Sequence, residues 1–119
     1  MKLTAAAAVF PVADLRASLR FFIDKLGFHE EFSYEDVYAG IERDHCLVHL
    51  SRQGNLNTSE PGTATLYVFC DDARAIYDDI VARGAKPDGP PTDYPYGMCD
   101  FVVRDIDGNR ITFGSPIKK

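Results

Sequence analysis

The chain has 119 residues, of which 45% are hydrophobic and 26% charged, a composition typical of one globular domain. Its formal net charge of −5 argues against nucleic acid as a partner, because the phosphates would be repelled. No apolar run approaches the roughly 18 residues that a membrane span needs, so a membrane is not an expected partner either.

The first half of the chain predicts a helix between strands. A β-rich run over residues 6–12 leads to Asp14, a preferred helix N-cap residue, and apolar residues then recur at helical spacing. Gly27 is the natural end of this helix, since glycine adopts the left-handed backbone of a helix terminus. Three short strands are predicted next, at about residues 28–33, 37–42 and 46–51.

A polar stretch at residues 53–62 is the predicted linker, and the same order of elements then begins again. Residues 63–70 alternate strictly between one set facing a core and one facing away, as a half-buried strand does. A second helix is predicted after Asp71 or Asp72, and it ends at Gly84.

The C-terminal part predicts a loop and a hairpin. Residues 86–96 include four prolines, which indicates a loop with a short edge strand. Residues 101–113 form two β-rich runs around Asp105-Ile106-Asp107-Gly108-Asn109, a typical turn sequence. Asp105 and Asp107 are therefore interpreted as turn caps.

The repetition predicts the architecture. Residues 12–27 match residues 68–84 with a slip of one position, so the chain contains a βαβββ module twice, at about 4–52 and 63–115. We expect a single α+β domain over residues 1–119, in which the two modules form a curved mixed sheet around a cleft and the helices cover the outer face. The alternative is an unrelated α+β sandwich.

The order of these motifs resembles the vicinal oxygen chelate superfamily, which includes glyoxalase I, extradiol dioxygenases and bleomycin-resistance proteins. The resemblance rests on residues 12–22, on Leu26-Gly27-Phe28 and on the 105–109 turn, which is similar to the family's Asp-Pro-Asp-Gly-Asn except at Ile106. Within the superfamily, the bleomycin-resistance group is favoured by four motifs: Phe10-Pro11-Val12 with Asp14, Leu26-Gly27-Phe28, Tyr38-Ala39-Gly40, and Tyr96-Gly97 leading into Phe101 and Arg104-Asp105.

The resemblance also implies where an enzyme of this superfamily would hold its divalent metal, with histidine and glutamate at four positions. Matched strand by strand, these positions fall on Ala7, His49, Thr63 and Thr112. Only His49 is a strong ligand, so we expect no cofactor and a protein that is not an enzyme. The alternative is a metal-dependent glyoxalase- or dioxygenase-like enzyme that uses His49 with other ligands.

Other catalytic features are not evident in the sequence. It contains neither a glycine-rich phosphate loop nor a nucleophile elbow. By alternation, Cys46 and Cys70 face the core, and Cys99 is interpreted as a packing residue. Three widely spaced cysteines indicate a reduced, cytoplasmic setting.

Without a metal, the residues that face the predicted cleft indicate a flat, partly polar organic ligand. The resemblance implies that Tyr38 and Tyr96 sandwich its planar part and that two chains pair as a homodimer, with clefts at their interface. The acidic residues between 30 and 36 would attract a cationic tail, or would simply form a solvated edge. The predicted ligand-binding residues are Phe32, Tyr38, Leu47, His49, Thr63, Thr65, Tyr67, Tyr94, Tyr96, Gly97 and Thr112.

The expected function is therefore antibiotic resistance by sequestration of a bleomycin-type drug. A non-catalytic interaction domain is the remaining alternative. In that case the cleft would be shallow or filled, and replacing both Tyr38 and Tyr96 by alanine would have no effect.

Overall fold

The structure is a computed structural model that describes residues 1–55 and 59–118. In these ranges the helices are α1 (Leu15–Leu26) and α2 (Ala73–Ala82). The strands are β1 (Ala8–Val12), β2 (His29–Tyr34), β3 (Tyr38–Arg43), β4 (Cys46–Arg52), β5 (Thr65–Phe69), β6 (Thr92–Asp93), β7 (Met98–Arg104) and β8 (Arg110–Pro116).

The strands of the described residues form two four-stranded mixed sheets. The N-terminal sheet has the order β1-β4-β3-β2 and the C-terminal sheet the order β5-β8-β7-β6. In each, the first strand pairs in parallel with the last strand of its module, and the other pairs are antiparallel. The predicted α+β fold of two βαβββ modules with outer helices is confirmed.

Each helix packs on one face of its own sheet, and the opposite face is called the open face below. Phe22 and Leu26 of α1 are fully buried against the N-terminal sheet, as is Ile80 of α2 against the C-terminal sheet. Cys46 and Cys70 pack against the same core, as predicted. The apolar residues of each strand thus face the helices, and the residues that alternate with them lie on the open face.

The helix ends follow the capping residues. The Asp14 side chain accepts a hydrogen bond from the Ala17 amide at 3.1 Å, and Gly27 ends α1 in the left-handed conformation at φ 73°. The sequence left two candidates for the second cap, and Asp72 is the one that accepts from the Ala75 amide, at 3.2 Å. Within the described ranges, neither helix combines the length and the apolarity of a membrane span.

Two predicted strands begin two residues later than expected. The strand predicted over residues 6–12 starts at Ala8, where pairing with β4 starts. The one predicted over 63–70 is Thr65–Phe69, because Gly62 has a φ of 88° and the Thr63 hydroxyl donates to the Glu60 carbonyl at 2.7 Å, which forms a turn. The linker prediction for 53–62 includes residues 56–58, which lie outside the described residues.

Among the described residues, side-chain hydrogen bonds join the modules at the last turn and on the helix side. Asn109 Nδ2 donates to the Pro11 carbonyl at 2.9 Å, which ties the last turn of the second module to β1. On the helix side, Arg43 Nη1 donates to the Leu26 carbonyl at 2.8 Å and to Asp79 Oδ2 on α2 at 3.0 Å. These contacts fix the position of one open face relative to the other.

Candidate ligand-binding site

Three aromatic side chains form a cluster on the open face of the N-terminal sheet. Tyr38 Oη lies 2.9 Å from His49 Nδ1, and the two ring centroids are 5.3 Å apart. Phe32 contacts both rings, with centroids 5.3 Å from His49 and 6.3 Å from Tyr38. We call these three residues the N-terminal cluster.

The hydrogen bond in this cluster joins two groups that can each donate or accept. Burial raises the pKa of Tyr38. The direction of the bond between the Tyr38 hydroxyl and His49 Nδ1 depends on the imidazole tautomer. The cluster therefore presents ring faces together with polar groups, which suits a flat, partly polar ligand.

Phe32 reaches this position because of a β-bulge. The register between β2 and β3 shifts between Glu30 and Phe32, so that Phe32 lies opposite Gly40. A methyl group on Gly40 would overlap the Phe32 ring. The glycine thus allows the ring to lie flat on the open face.

A second cluster surrounds a buried carboxylate on the open face of the C-terminal sheet. Asp100 is only 6% exposed, and its Oδ2 accepts hydrogen bonds from the hydroxyls of Tyr96 at 2.6 Å and Tyr67 at 3.0 Å. Tyr94 stacks on Tyr96 with an interplanar angle of 3°, and Phe69 packs against Tyr67 with centroids 5.1 Å apart. We call these five residues the C-terminal cluster.

The tyrosine pKa values reflect the anionic partner. Burial and the hydrogen bond to Asp100 raise the pKa of Tyr67 to about 12. The same hydrogen bond, followed by burial, raises the pKa of Tyr96 to about 12. Both hydroxyls are therefore protonated donors over the physiological pH range. Among the described residues, no lysine or arginine forms an ion pair with Asp100.

Asp100 was absent from the residues predicted to bind a ligand. A signal for it existed, because Cys99, Phe101 and Val103 of β7 are the buried, core-facing set and Asp100 alternates with them. An acidic residue within a hydrophobic run, at a position that faces the cleft, predicts a binding residue.

The remaining predicted residues lie beside the C-terminal cluster or in the segments next to it. Thr112 pairs with Tyr67 across β8 and β5, and Thr65 is exposed on the same face of β5. Gly97 is in a turn at φ 92° that closes on Tyr94. Thr63 precedes β5. Tyr38 and Tyr96, the predicted sandwich pair, belong to different clusters on different sheets.

A cavity of about 770 Å³ lies between the modules and is lined by the residues before and at the start of β1, by the start of β4 and by β5. Its lining is mostly apolar and includes Leu47 and Tyr67 from the predicted set, together with Ala7 and Phe69. Neither β1 nor β5, each an edge strand, is paired on its outer side in the described part of the chain. The cavity therefore extends the C-terminal cluster towards the N-terminal sheet.

Residues 4–113 match the sequence profile of the Glyoxalase/Bleomycin resistance protein/Dioxygenase superfamily. The chain belongs to this superfamily. Bleomycin resistance proteins of Geobacillus stearothermophilus and Staphylococcus aureus are each 29% identical to it over 124 residues, which cover 91% of this chain and 93% of theirs. The bleomycin-binding protein from bleomycin-producing Streptomyces verticillus, solved with copper(II)-bleomycin, has a TM-score of 0.79 and 25% identity over 99% of both chains. TioX from Micromonospora sp. ML1 shares the fold, with a TM-score of 0.81 and 19% identity over 97% of this chain and all of that one.

The superfamily includes metal enzymes, so the four positions matched to their ligands need a test of donor chemistry. Ala7 offers only a methyl group, and the Thr63 hydroxyl is bound to the Glu60 carbonyl at 2.7 Å. Thr112 offers a neutral hydroxyl, which leaves His49 as the one imidazole among the four positions and no carboxylate beside it. This donor set does not fit a divalent metal, which prefers several imidazole or carboxylate ligands.

Proposed function

We propose that this superfamily member binds a planar, cationic small molecule of the bleomycin class and sequesters it without chemical change and without a metal cofactor. The observation that carries the proposal is the Asp100 carboxylate, which is buried under aromatic rings and held by two tyrosine hydroxyls.

A carboxylate in this position favours a cation. Burying a charge is costly unless it is hydrogen-bonded and paired, and Asp100 has the hydrogen bonds but no arginine or lysine partner in the described residues. A ligand ammonium or guanidinium group would supply that partner. The faces of Tyr94 and Tyr96 add cation–π attraction.

The exposed rings supply the surface for a planar group. Phe69 is 76% exposed and Tyr96 is 63% exposed, although both are large and largely apolar. When a flat aromatic group stacks on such rings and displaces water, the free energy of binding becomes more favourable. The cationic and planar features of the ligand would thus be recognised by the same cluster.

The relatives support the ligand class. Proteins named for bleomycin resistance align with almost the whole chain, and a bleomycin-binding protein with the same fold is solved with copper(II)-bleomycin. Sequestration, rather than catalysis, is supported by the donor set at the four metal-ligand positions.

We further propose that the protein acts as a homodimer. Phe32, Phe69 and Tyr96 leave much apolar surface exposed on the open faces, which a second copy would cover. In such a pair the N-terminal cluster of one chain would face the C-terminal cluster of the other, so that Tyr38 and Tyr96 approach each other across the interface. The three widely spaced cysteines support action in the cytoplasm. The net charge of −5 supports a partner other than nucleic acid.

Calorimetric titration with metal-free bleomycin tests the ligand. The wild-type protein should give saturable heat at micromolar drug. Asp100→Asn, which removes the charge but keeps the shape, should bind at least about tenfold more weakly, since a hydrogen bond to a charged group contributes roughly 1.5–3 kcal/mol. Asp24→Asn, an exposed acid on the outer helix α1, is the matched control and should bind like wild type.

Two outcomes would contradict this proposal: wild-type protein without saturable heat, or equal affinities for the Asp100→Asn and Asp24→Asn proteins. The dimer is tested separately by sedimentation. Phe69→Asp should shift the protein to monomers, whereas Ile106→Asp, at a residue of the 105–109 turn that is 53% exposed, should not.

A further inference from the structure

A group of polar side chains lies on the edge strand β2 of the N-terminal sheet and on its neighbour β3. His29 of β2 is the cross-strand partner of Glu42 of β3, and its Nε2 lies 3.9 Å from Glu42 Oε1. Glu31, two residues further along β2, places its Oε2 3.8 Å from the same nitrogen. One ligand atom of each side chain lies within 4.8 Å of the other two.

The charges of this group are not balanced by the rest of the protein. Two carboxylates point at one imidazole, and in the described ranges neither forms an ion pair with lysine or arginine. The Glu42 side chain is only 24% exposed, so water screens it incompletely. A bound cation would relieve the repulsion between the carboxylates.

We propose that His29, Glu31 and Glu42 form a binding site for a first-row divalent transition metal such as Zn²⁺. An imidazole nitrogen with two carboxylate oxygens suits Zn²⁺, Cu²⁺ or Ni²⁺, whereas Mg²⁺ and Ca²⁺ take oxygen ligands. Three protein ligands leave at least one coordination position for water. None of the three residues is at a position matched to a metal ligand in the superfamily's enzymes.

The geometry is close to what a metal requires. Ligand bonds of about 2.0–2.2 Å in a tetrahedral site separate the donor atoms by roughly 3.4 Å. The observed separations from His29 Nε2 are 3.8 and 3.9 Å, and the two carboxylate oxygens lie within 4.8 Å of each other, so the three side chains need to close on a metal by about an ångström or less. His29 and Glu31 have side chains that are 64% and 42% exposed, which leaves them free to make this adjustment.

The site would also connect to the N-terminal cluster. Glu31 occupies the β-bulge that places Phe32 over Gly40. A metal that holds Glu31 against His29 would stabilise the bulge and therefore the position of the Phe32 ring.

Titration of Zn²⁺ into chelator-treated protein, followed by calorimetry, tests the site. Wild-type protein should bind one Zn²⁺ per chain, and Zn²⁺ should raise its melting temperature. His29→Ala and Glu42→Gln should each weaken binding at least tenfold and lose the thermal shift. His45→Ala, which removes another exposed histidine, should bind Zn²⁺ like wild type.

The proposal is overturned if wild-type protein shows no saturable Zn²⁺ binding. It is also overturned if His29→Ala binds normally, or if His45→Ala abolishes binding. The circular dichroism spectrum of His29→Ala is expected to match wild type, and Glu42→Gln gives the same test at a second residue.

Discussion

Replacing Asn109 by alanine should destabilise the protein by more than the loss of one hydrogen bond would. Asn109 is fully buried, and its amide connects three parts of the chain. Nδ2 donates to the Pro11 carbonyl at 2.9 Å and to Asp105 Oδ2 at 2.8 Å, while Oδ1 accepts from the Ala64 amide at 3.0 Å. Alanine leaves all three partners without this contact.

The magnitude follows from those partners. A buried polar group that loses its hydrogen bond costs about 1–3 kcal/mol. Asp105 retains bonds from the Asp107 and Asn109 amides, and Ala64 is only half-buried, so we expect a total loss of roughly 3 kcal/mol. Burial raises the pKa of Asp105, and the Asn109 hydrogen bonds oppose that rise, so the variant should also have a higher Asp105 pKa.

Urea unfolding followed by circular dichroism measures this loss. Asn55→Ala is the control, because Asn55 Nδ2 makes only a 3.5 Å contact with Ser51 Oγ, and its replacement should cost less than about 0.5 kcal/mol. If Asn109→Ala lost less than about 1 kcal/mol, the turn would not be holding the two modules together as the structure indicates.

Two further predictions concern stability and pH. Ser18 is fully buried in α1, and its hydroxyl has no hydrogen-bond partner in the described residues. Ser18→Ala should therefore raise the free energy of unfolding by about 1 kcal/mol in the urea assay. An unchanged or lower free energy of unfolding would contradict this prediction. Tyr67 and Tyr96, each with a pKa of about 12, should ionise about two pH units above an ordinary tyrosine in a spectrophotometric titration, and Asp100→Asn should lower both values. Because the folded state holds these protons more tightly than the unfolded state, their contribution to stability is complete below pH 10 and is lost between about pH 10 and 12.

Much of the fold could be predicted because its signals are local. The caps at Asp14 and Gly27 and the alternation in β4, β5 and β8 each depend on neighbouring residues, and the repetition of the pattern then indicated two modules. Asp105 was correctly predicted as a turn cap. Its contact with Asn109, and through Asn109 with Pro11, joins residues 98 positions apart and has no local signal.

The candidate site was harder to predict for the same reason. The bulge in β2 breaks strict alternation, so the sequence pattern does not show that His29, Glu31 and Phe32 share a face. The pairing of Tyr67 and Tyr96 with Asp100 depends on how β5 and β7 align through β8, which alternation within one strand does not specify. That Tyr38 and Tyr96 belong to different sheets was likewise a matter of tertiary arrangement.

Equilibrium dialysis with metal-free bleomycin, followed by mass spectrometry of the recovered drug, tests the central proposal most directly. If the protein sequesters the drug through Asp100, the amount of retained drug should rise in proportion to the concentration of wild-type protein. The Asp100→Asn protein should bind the drug with at least tenfold lower affinity. The recovered drug should have an unchanged mass. Drug that is not retained, or that is recovered with an altered mass in excess of the protein present, would contradict sequestration without chemistry.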